Sequence, residues 1–153
     1  MLWHYTAFID AQKICDDGRI NVAPQRVFDQ KRAVWFSKAS RWEPTANKVV
    51  GLEDGMIRFG NTIDTFVVGG GLVRFGIETA TAPISWNEFK QTGGIMLREA
   101  CAFELAGRTV GAHPMDWFCS YEPVLRNDWC CIEEISDVFD LVALRWAKSA
   151  RLA

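Results

Sequence analysis

The opening 37 residues constrain the fold more than any other stretch. Leu2-Trp3-His4-Tyr5-Thr6 is a run of strong strand formers, and Phe8, Ala11, Ile14 and Cys15 then recur at helical spacing through Asp10 to Asp16. Gly18 is placed to close that helix, and Ala33-Val34-Trp35-Phe36-Ser37 returns to strand character. The layout is strand, helix, turn, strand, with a histidine at the end of the first strand. His4, Tyr5 and Thr6 together put a donor/acceptor ring, an aromatic face and a hydroxyl at one strand mouth, where small-molecule sites gather.

The remaining pattern is mixed. Residues 19–31 are polar, hold Pro24 and carry Arg19, Arg26 and Lys31, with Arg32 beside them, which reads as a surface loop. The run Arg41-Trp42-Glu43-Pro44-Thr45-Ala46-Asn47-Lys48 is too polar for core, so Trp42 stands either at a site wall or as a loop anchor, and Glu43 as a turn cap. Both polar connections, 19–32 and 41–48, are placed to act as lids. From Val49 to Val68 glycines at 51, 55 and 60 break the pattern into short strands. Gly69-Gly70-Gly71 then predicts a hairpin between Thr65-Phe66-Val67-Val68 and Leu72 to Ile77. That glycine run lacks the Gly-Lys-Ser/Thr of a phosphate loop. Ser85 followed by Glu88 is a reciprocal helix cap, and a second helix is expected from about Met96 to Leu105. Strands follow at 116–123, ended by Pro123, and at 129–134, then a strand or short helix from Asp140 to Trp146. Strands outnumber helices, which predicts an α+β fold with helices packed on antiparallel sheets, and 153 residues suit a single domain, 1–153.

Composition narrows the partners. A net charge of −2 and a pI near 5.7 give no field for sequence-independent nucleic-acid binding. With two histidines and no C-x-x-C spacing, no metal site is expected. Cys15, Cys101, Cys119, Cys130 and Cys131 read as buried thiols in a reducing compartment. No stretch approaches about 18 uninterrupted apolar residues, so no membrane is expected among the partners and a cytoplasmic location is.

The strand ending in Trp3-His4-Tyr5-Thr6, the helix closing at Gly18 before Ile20, and Val34-Trp35-Phe36-Ser37 together resemble the opening of the ADP-ribosyltransferase superfamily. The likeness extends more loosely to DarT-type nucleic-acid ADP-ribosyltransferase toxins and to RNA 2′-phosphotransferases. Val34-Trp35-Phe36-Ser37 with Trp42-Glu43-Pro44-Thr45-Ala46-Asn47-Lys48, and the later Ser120-Tyr121-Glu122-Pro123-Val124, looks like a group of small uncharacterised microbial and phage proteins of that kind. The resemblance implies split antiparallel β-sheets with flanking helices. It implies NAD as substrate, cleavage of the nicotinamide N-glycosidic bond, and transfer of ADP-ribose to a macromolecular acceptor, protein or nucleic acid, or to water. A toxin or phage effector is the implied setting.

On that resemblance His4 holds the nicotinamide-side ribose and Thr6 adds a hydroxyl. Tyr5, Trp35, Phe36 and Trp42 are candidates for the stacking face, and Ser37 ends the second strand where a hydroxyl is common. A carboxylate on a later strand would support the oxocarbenium-like transition state. Glu122 is the first candidate and Asp116 the second. On one regular strand they would share a face about 20 Å apart, so only one would reach His4. Neither has Glu or Gln two residues before it; Ser120 and Pro114 stand there, which disfavours arginine as acceptor. Trp3, Trp35, Trp86, Trp117, Trp129 and Trp146 read chiefly as core fillers. Two further readings stand: RNA 2′-phosphotransfer, which would need Arg19, Arg26, Arg32 or Arg74 in a phosphate pocket, and a non-catalytic module binding a nucleotide or protein on the same fold.

Overall fold

The N-terminal strand passes straight into its helix in the computed structural model, which describes residues 1–24 and 30–153. β1 (Leu2–Ala7) leads into α1 (Phe8–Asp17), and Gly18 closes the helix in the left-handed region at φ 65°. β2 (Arg19–Ile20) and β3 (Val34–Ser37) follow, then the hairpin strands β4 (Val49–Gly51) and β5 (Ile57–Phe59). α2 (Thr62–Gly69) precedes β6 (Leu72–Ile77), and β7 (Ile84–Ser85) starts α3 (Trp86–Thr92). α4 (Leu97–Thr109), β8 (Trp117–Ser120), β9 (Val124–Leu125), β10 (Trp129–Ile135), α5 (Val138–Ala143) and β11 (Ala147–Lys148) complete the chain. The fold is α+β, as the pattern predicts. Among the described residues no helix is long and apolar enough to cross a membrane.

Seven strands form one antiparallel sheet in the order β11-β10-β6-β1-β3-β8-β7, with β2-β9 and β4-β5 as separate ribbons. The sheet is weakly joined at its middle. β1 matches β6 along its whole length, Leu2 to Ile77 through Ala7 to Leu72, and β3 matches β8 from Val34–Ser120 to Ser37–Trp117. Between β1 and β3 the register holds at a single pair, Trp3 with Ser37. Two half-sheets, of four and three strands, therefore meet at one point and part beyond it.

One core spans both halves, and a second belongs to the three-stranded half. Leu2, Val73, Phe75 and Ile77 pack with Ala11 of α1 and with Val34 and Phe36. Ala33 and Cys119 pack with Trp86 and Phe89 of α3 and with Ala100 of α4. A third cluster of Tyr5, Trp42, Leu72, Ile135 and Leu141 fills the opposite side of the four-stranded half.

Three expectations are corrected. Residues 62–69 are a helix and not a strand of a glycine hairpin, because Asn61 and Asp64 cap it reciprocally and Gly70 ends it at φ 71°. The β-branched content of Thr62 to Val68 favours strand, but this capping and the packing on β1 prevail. Gly69 lies so close to β1 that a Cβ there would sit 2.4 Å from the Ala7 Cβ. The chain at 116–123 is a strand only over β8. Asp116 ends a 3-10 turn (Pro114–Asp116), and Glu122 follows a turn in which Ser120 Oγ accepts from the Glu122 N–H at 3.1 Å and donates to its carbonyl at 2.9 Å. The two carboxylates therefore do not share one regular strand. Of the five free thiols only Cys119 is buried; Cys101 and Cys130 are exposed.

Candidate functional site

A cleft of about 720 Å³ opens where β1 and β3 part. Trp3, His4 and Tyr5 of β1 and Trp35, Phe36 and Ser37 of β3 form its base. Trp86 and Phe89 of α3, Phe103 and Gly107 of α4, and Trp117 form a wall; Lys31 and Arg32 line it where β3 begins, and Glu43, Thr45 and Asn47 where β3 has ended.

His4 takes the place of a missing backbone ladder. Beyond the Trp3–Ser37 pair the strands no longer exchange registered bonds, and His4 Nδ1 donates to the Trp35 carbonyl at 2.9 Å. A carbonyl only accepts, so this bond fixes the proton on Nδ1. Burial among Phe36 and Phe75 pushes the imidazole below its ordinary 6.5, outweighing the hydrogen bond to Trp35, with the positive charge of Lys48 adding to the fall. At neutral pH the ring is therefore uncharged, with Nε2 a bare acceptor. No protein group bonds Nε2 among the described residues.

Glu43 is the carboxylate of the cleft, the single one among the described residues that line it. Only 6% of it is exposed. Ser37 Oγ donates to Oε2 at 2.8 Å, and Oε1 accepts from Thr45 Oγ at 2.7 Å and from the Thr45 N–H at 3.2 Å. Glu43 does cap a short turn (Pro44–Ala46), as its position before Pro44 suggests, and the same side chain also faces the cleft.

The segment that carries Glu43 is fixed at three successive carbonyls. Tyr5 donates to the carbonyl of Ala39, Arg74 to that of Ser40, and Trp146 Nε1 to that of Arg41 at 2.7 Å. Burial pushes the Tyr5 phenol up to about 12 against the nearby Arg74 cation, so it stays a donor. Trp42 is buried beneath, stacked on Trp146, with its Nε1 donating to Asn47 at 2.9 Å. The segment expected as a lid at 41–48 is tied to the four-stranded half by these bonds.

The aromatic roles are partly exchanged. Trp42, expected at a site wall or as an anchor, is an anchor and does not line the cleft, and Thr6 is buried away from it. Trp3, Trp86 and Trp117, read as fillers, do line it, beside the stacking candidate Trp35. Trp35 packs edge-on to Phe89 at 4.8 Å, and Trp86 edge-on to Trp117 at 5.3 Å. Gly107 admits the Trp117 ring against α4, where a Cβ would sit 2.7 Å from its Cζ2 and Cη2. His4, Tyr5, Trp35, Phe36 and Ser37 come together here; Asp116 and Glu122 do not line the cleft, and Glu122 is exposed. Of the four arginines considered for a phosphate pocket, Arg32 lines the cleft, Arg19 and Arg74 do not, and Arg26 lies outside the described residues.

No protein-family model, curated protein or solved structure matched the chain.

Proposed function

We propose that this chain is an NAD-binding, ADP-ribosyltransferase-like enzyme that cleaves the nicotinamide N-glycosidic bond and passes ADP-ribose to a macromolecule or to water, in the manner of a small toxin or phage effector. The sheet parted between β1 and β3 supports the split-sheet reading of the fold. The observation that carries the function is the pairing, in one aromatic cleft, of a neutral His4 with a free acceptor nitrogen and a buried Glu43 carboxylate.

In this reading His4 Nε2 accepts from a ribose hydroxyl and the aromatic walls hold the nicotinamide ring. As the bond between ribose C1′ and the ring nitrogen breaks, its electron pair leaves with nicotinamide and positive charge spreads over C1′ and the ring oxygen. Glu43, already oriented by Ser37 and Thr45, stabilises that charge without reorganising. A nucleophile of the acceptor, or water, then bonds C1′ and gives up its proton. A non-catalytic nucleotide-binding module is the second reading, favoured by the occupation of both Glu43 oxygens by protein donors.

Nicotinamide release from NAD, with and without cell lysate, tests the proposal. Wild type should release it, and Glu43→Gln should lose about 10²- to 10³-fold, the usual effect of removing one charge-stabilising group. Loss in Glu122→Gln or Asp116→Asn with Glu43→Gln active would move the carboxylate role to those residues. No release and no NAD binding would overturn the enzyme reading.

A further inference from the structure

We propose that this chain forms a symmetric dimer through an apolar face built from the β4–β5 hairpin, α2 and α5, so that the occupant of that face is a second copy of the chain. The inference does not depend on what the cleft binds.

The hairpin stands apart from the body. β4 and β5 form a ribbon separate from the seven-stranded sheet, and none of its described side chains enters any of the three cores. Val49, Leu52, Met56 and Ile57 are 41–72% exposed along it. A lone two-stranded hairpin is marginal in water, and one this apolar gains by lying against another surface. Arg58 ties it to the head of α2, donating to the two Asp64 oxygens at 2.7 and 3.0 Å. α2 in turn covers the same face of the sheet as α5, because Phe66 of the one and Leu141 of the other enter a single core there. The sides of both helices that solvent reaches are apolar where a solvated helix is polar. Ile63, Val67 and Val68 on α2, and Val138, Phe139 and Val142 on α5, are 54–82% exposed.

The area fits a partner of the same kind. Burying one side chain of these types removes about 60–120 Å² from water, so the ten together, on average about three-fifths exposed, offer roughly 400–750 Å². A standard interface covers about 800 Å² on each partner, a little over half of it apolar. The face therefore holds the apolar share of one whole side of such an interface. Charge selects among occupants. Arg58 pairs with Asp64 and Arg145 with Asp140 within the face, and its carboxylates without a cationic partner among the described residues, Glu53 and Asp54 at the hairpin turn and Asp137 at the start of α5, leave it acidic. An anionic membrane or a nucleic acid would be repelled. A copy of the chain brings the matching apolar surface and closes the contact in one two-fold step, since each face covers the other.

Sedimentation equilibrium across a dilution series decides the matter. Wild type should run at twice the 17.3 kDa of the chain and dissociate on dilution. Val67→Lys/Val142→Lys, at exposed positions that leave the cores untouched, should weaken association at least about hundredfold, and so should Val67→Asp/Val142→Asp. Mixed in equal amounts, the two variants should regain a dimer as opposite charges meet across the shared face, which also shows that both are folded. Leu97→Lys/Leu105→Lys, on exposed apolar positions of α4, should dimerise as wild type does. A wild type that stays monomeric at every concentration, a dimer that survives the changes at Val67 and Val142, a mixture that stays monomeric, or a dimer lost in the α4 variant would overturn the proposal. So would a monomer that binds vesicles of phosphatidylcholine and phosphatidylserine through this face. The cleft enters none of these readouts, so nicotinamide release and dimerisation can each fail while the other stands.

Discussion

Arg74→Met asks whether residues 39–47 are held as a rigid mount for Glu43. The Arg74 guanidinium lies 3.8 Å from the Trp3 ring centre and 4.5 Å from that of Trp146, donates through Nε to Glu133 at 2.7 Å, and reaches the Ser40 carbonyl. Methionine keeps much of the aliphatic volume and removes every donor. Breaking a buried ion pair from one side costs about 3–5 kcal/mol. The Glu133 side chain keeps 22% of its surface in water, which partly solvates the stranded carboxylate and puts this case near the lower end, about 3 kcal/mol. The unpaired Ser40 carbonyl adds about 1 kcal/mol. A loss of about 4 kcal/mol corresponds to a fall of roughly 8–16 °C in Tm for a chain of this length. Urea unfolding followed by tryptophan fluorescence measures it. The double variant Arg74→Met/Glu133→Leu removes the stranded charge and should recover about 3 kcal/mol. Ser40 remains unheld in that variant, so NAD binding should stay weak although stability returns. A loss under about 1 kcal/mol in the single variant, or full restoration of binding in the double, would refute the mount.

Two further outcomes are expected. Gly107→Val drives a branched side chain into the Trp117 ring, which a Cβ alone would meet at 2.7 Å; stability should fall by about 1–3 kcal/mol and NAD affinity with it, read by thermal melts and calorimetry. For His4, the folded state holds the imidazole below its ordinary 6.5, so the unfolded chain takes up the proton first as pH falls. Its stabilising contribution is present above pH 6.5 and is lost below it, at up to about 1.4 kcal/mol per pH unit until the folded group titrates. Urea unfolding at pH 7.5 and 5.5 should show this loss in wild type and a smaller one in His4→Asn; an equal loss in both would count against a neutral His4.

What the sequence discloses depends on whether the signal is local. Ser85 and Glu88 declare a helix start because both halves of the cap lie within one turn, and Gly18 declares a helix end for the same reason. The three glycines at 69–71 mislead because each answers a different demand. Gly69 meets Ala7 across the packing, Gly70 takes a left-handed cap, and Gly71 has φ 131° before β6. The Asn61-x-x-Asp64 cap is a local sign that α2 begins there, but it is masked by the β-branched residues that follow. Glu43 is legible as a turn cap and not as a site residue, because what brings it to the cleft that His4 also lines is long-range: donors at Tyr5, Arg74 and Trp146 holding one short segment.

The same contrast explains why the tryptophans were hard to sort. Polarity of neighbours in sequence marks exposure only when the segment lacks tertiary anchors, and residues 39–47 have several, so Trp42 goes inward. Trp86 is itself buried and stacked on Phe89, yet it and Trp117 both line the cleft beside which the half-sheets part. The single Trp3–Ser37 pair is therefore central to fold and site alike. Were β1 and β3 registered along their length, His4 would lose its place beside the Trp35 carbonyl to an ordinary ladder bond, and the cleft between them would close. A continuous sheet would be the more stable arrangement by local pairing alone, so the parted one points to a site that requires the gap.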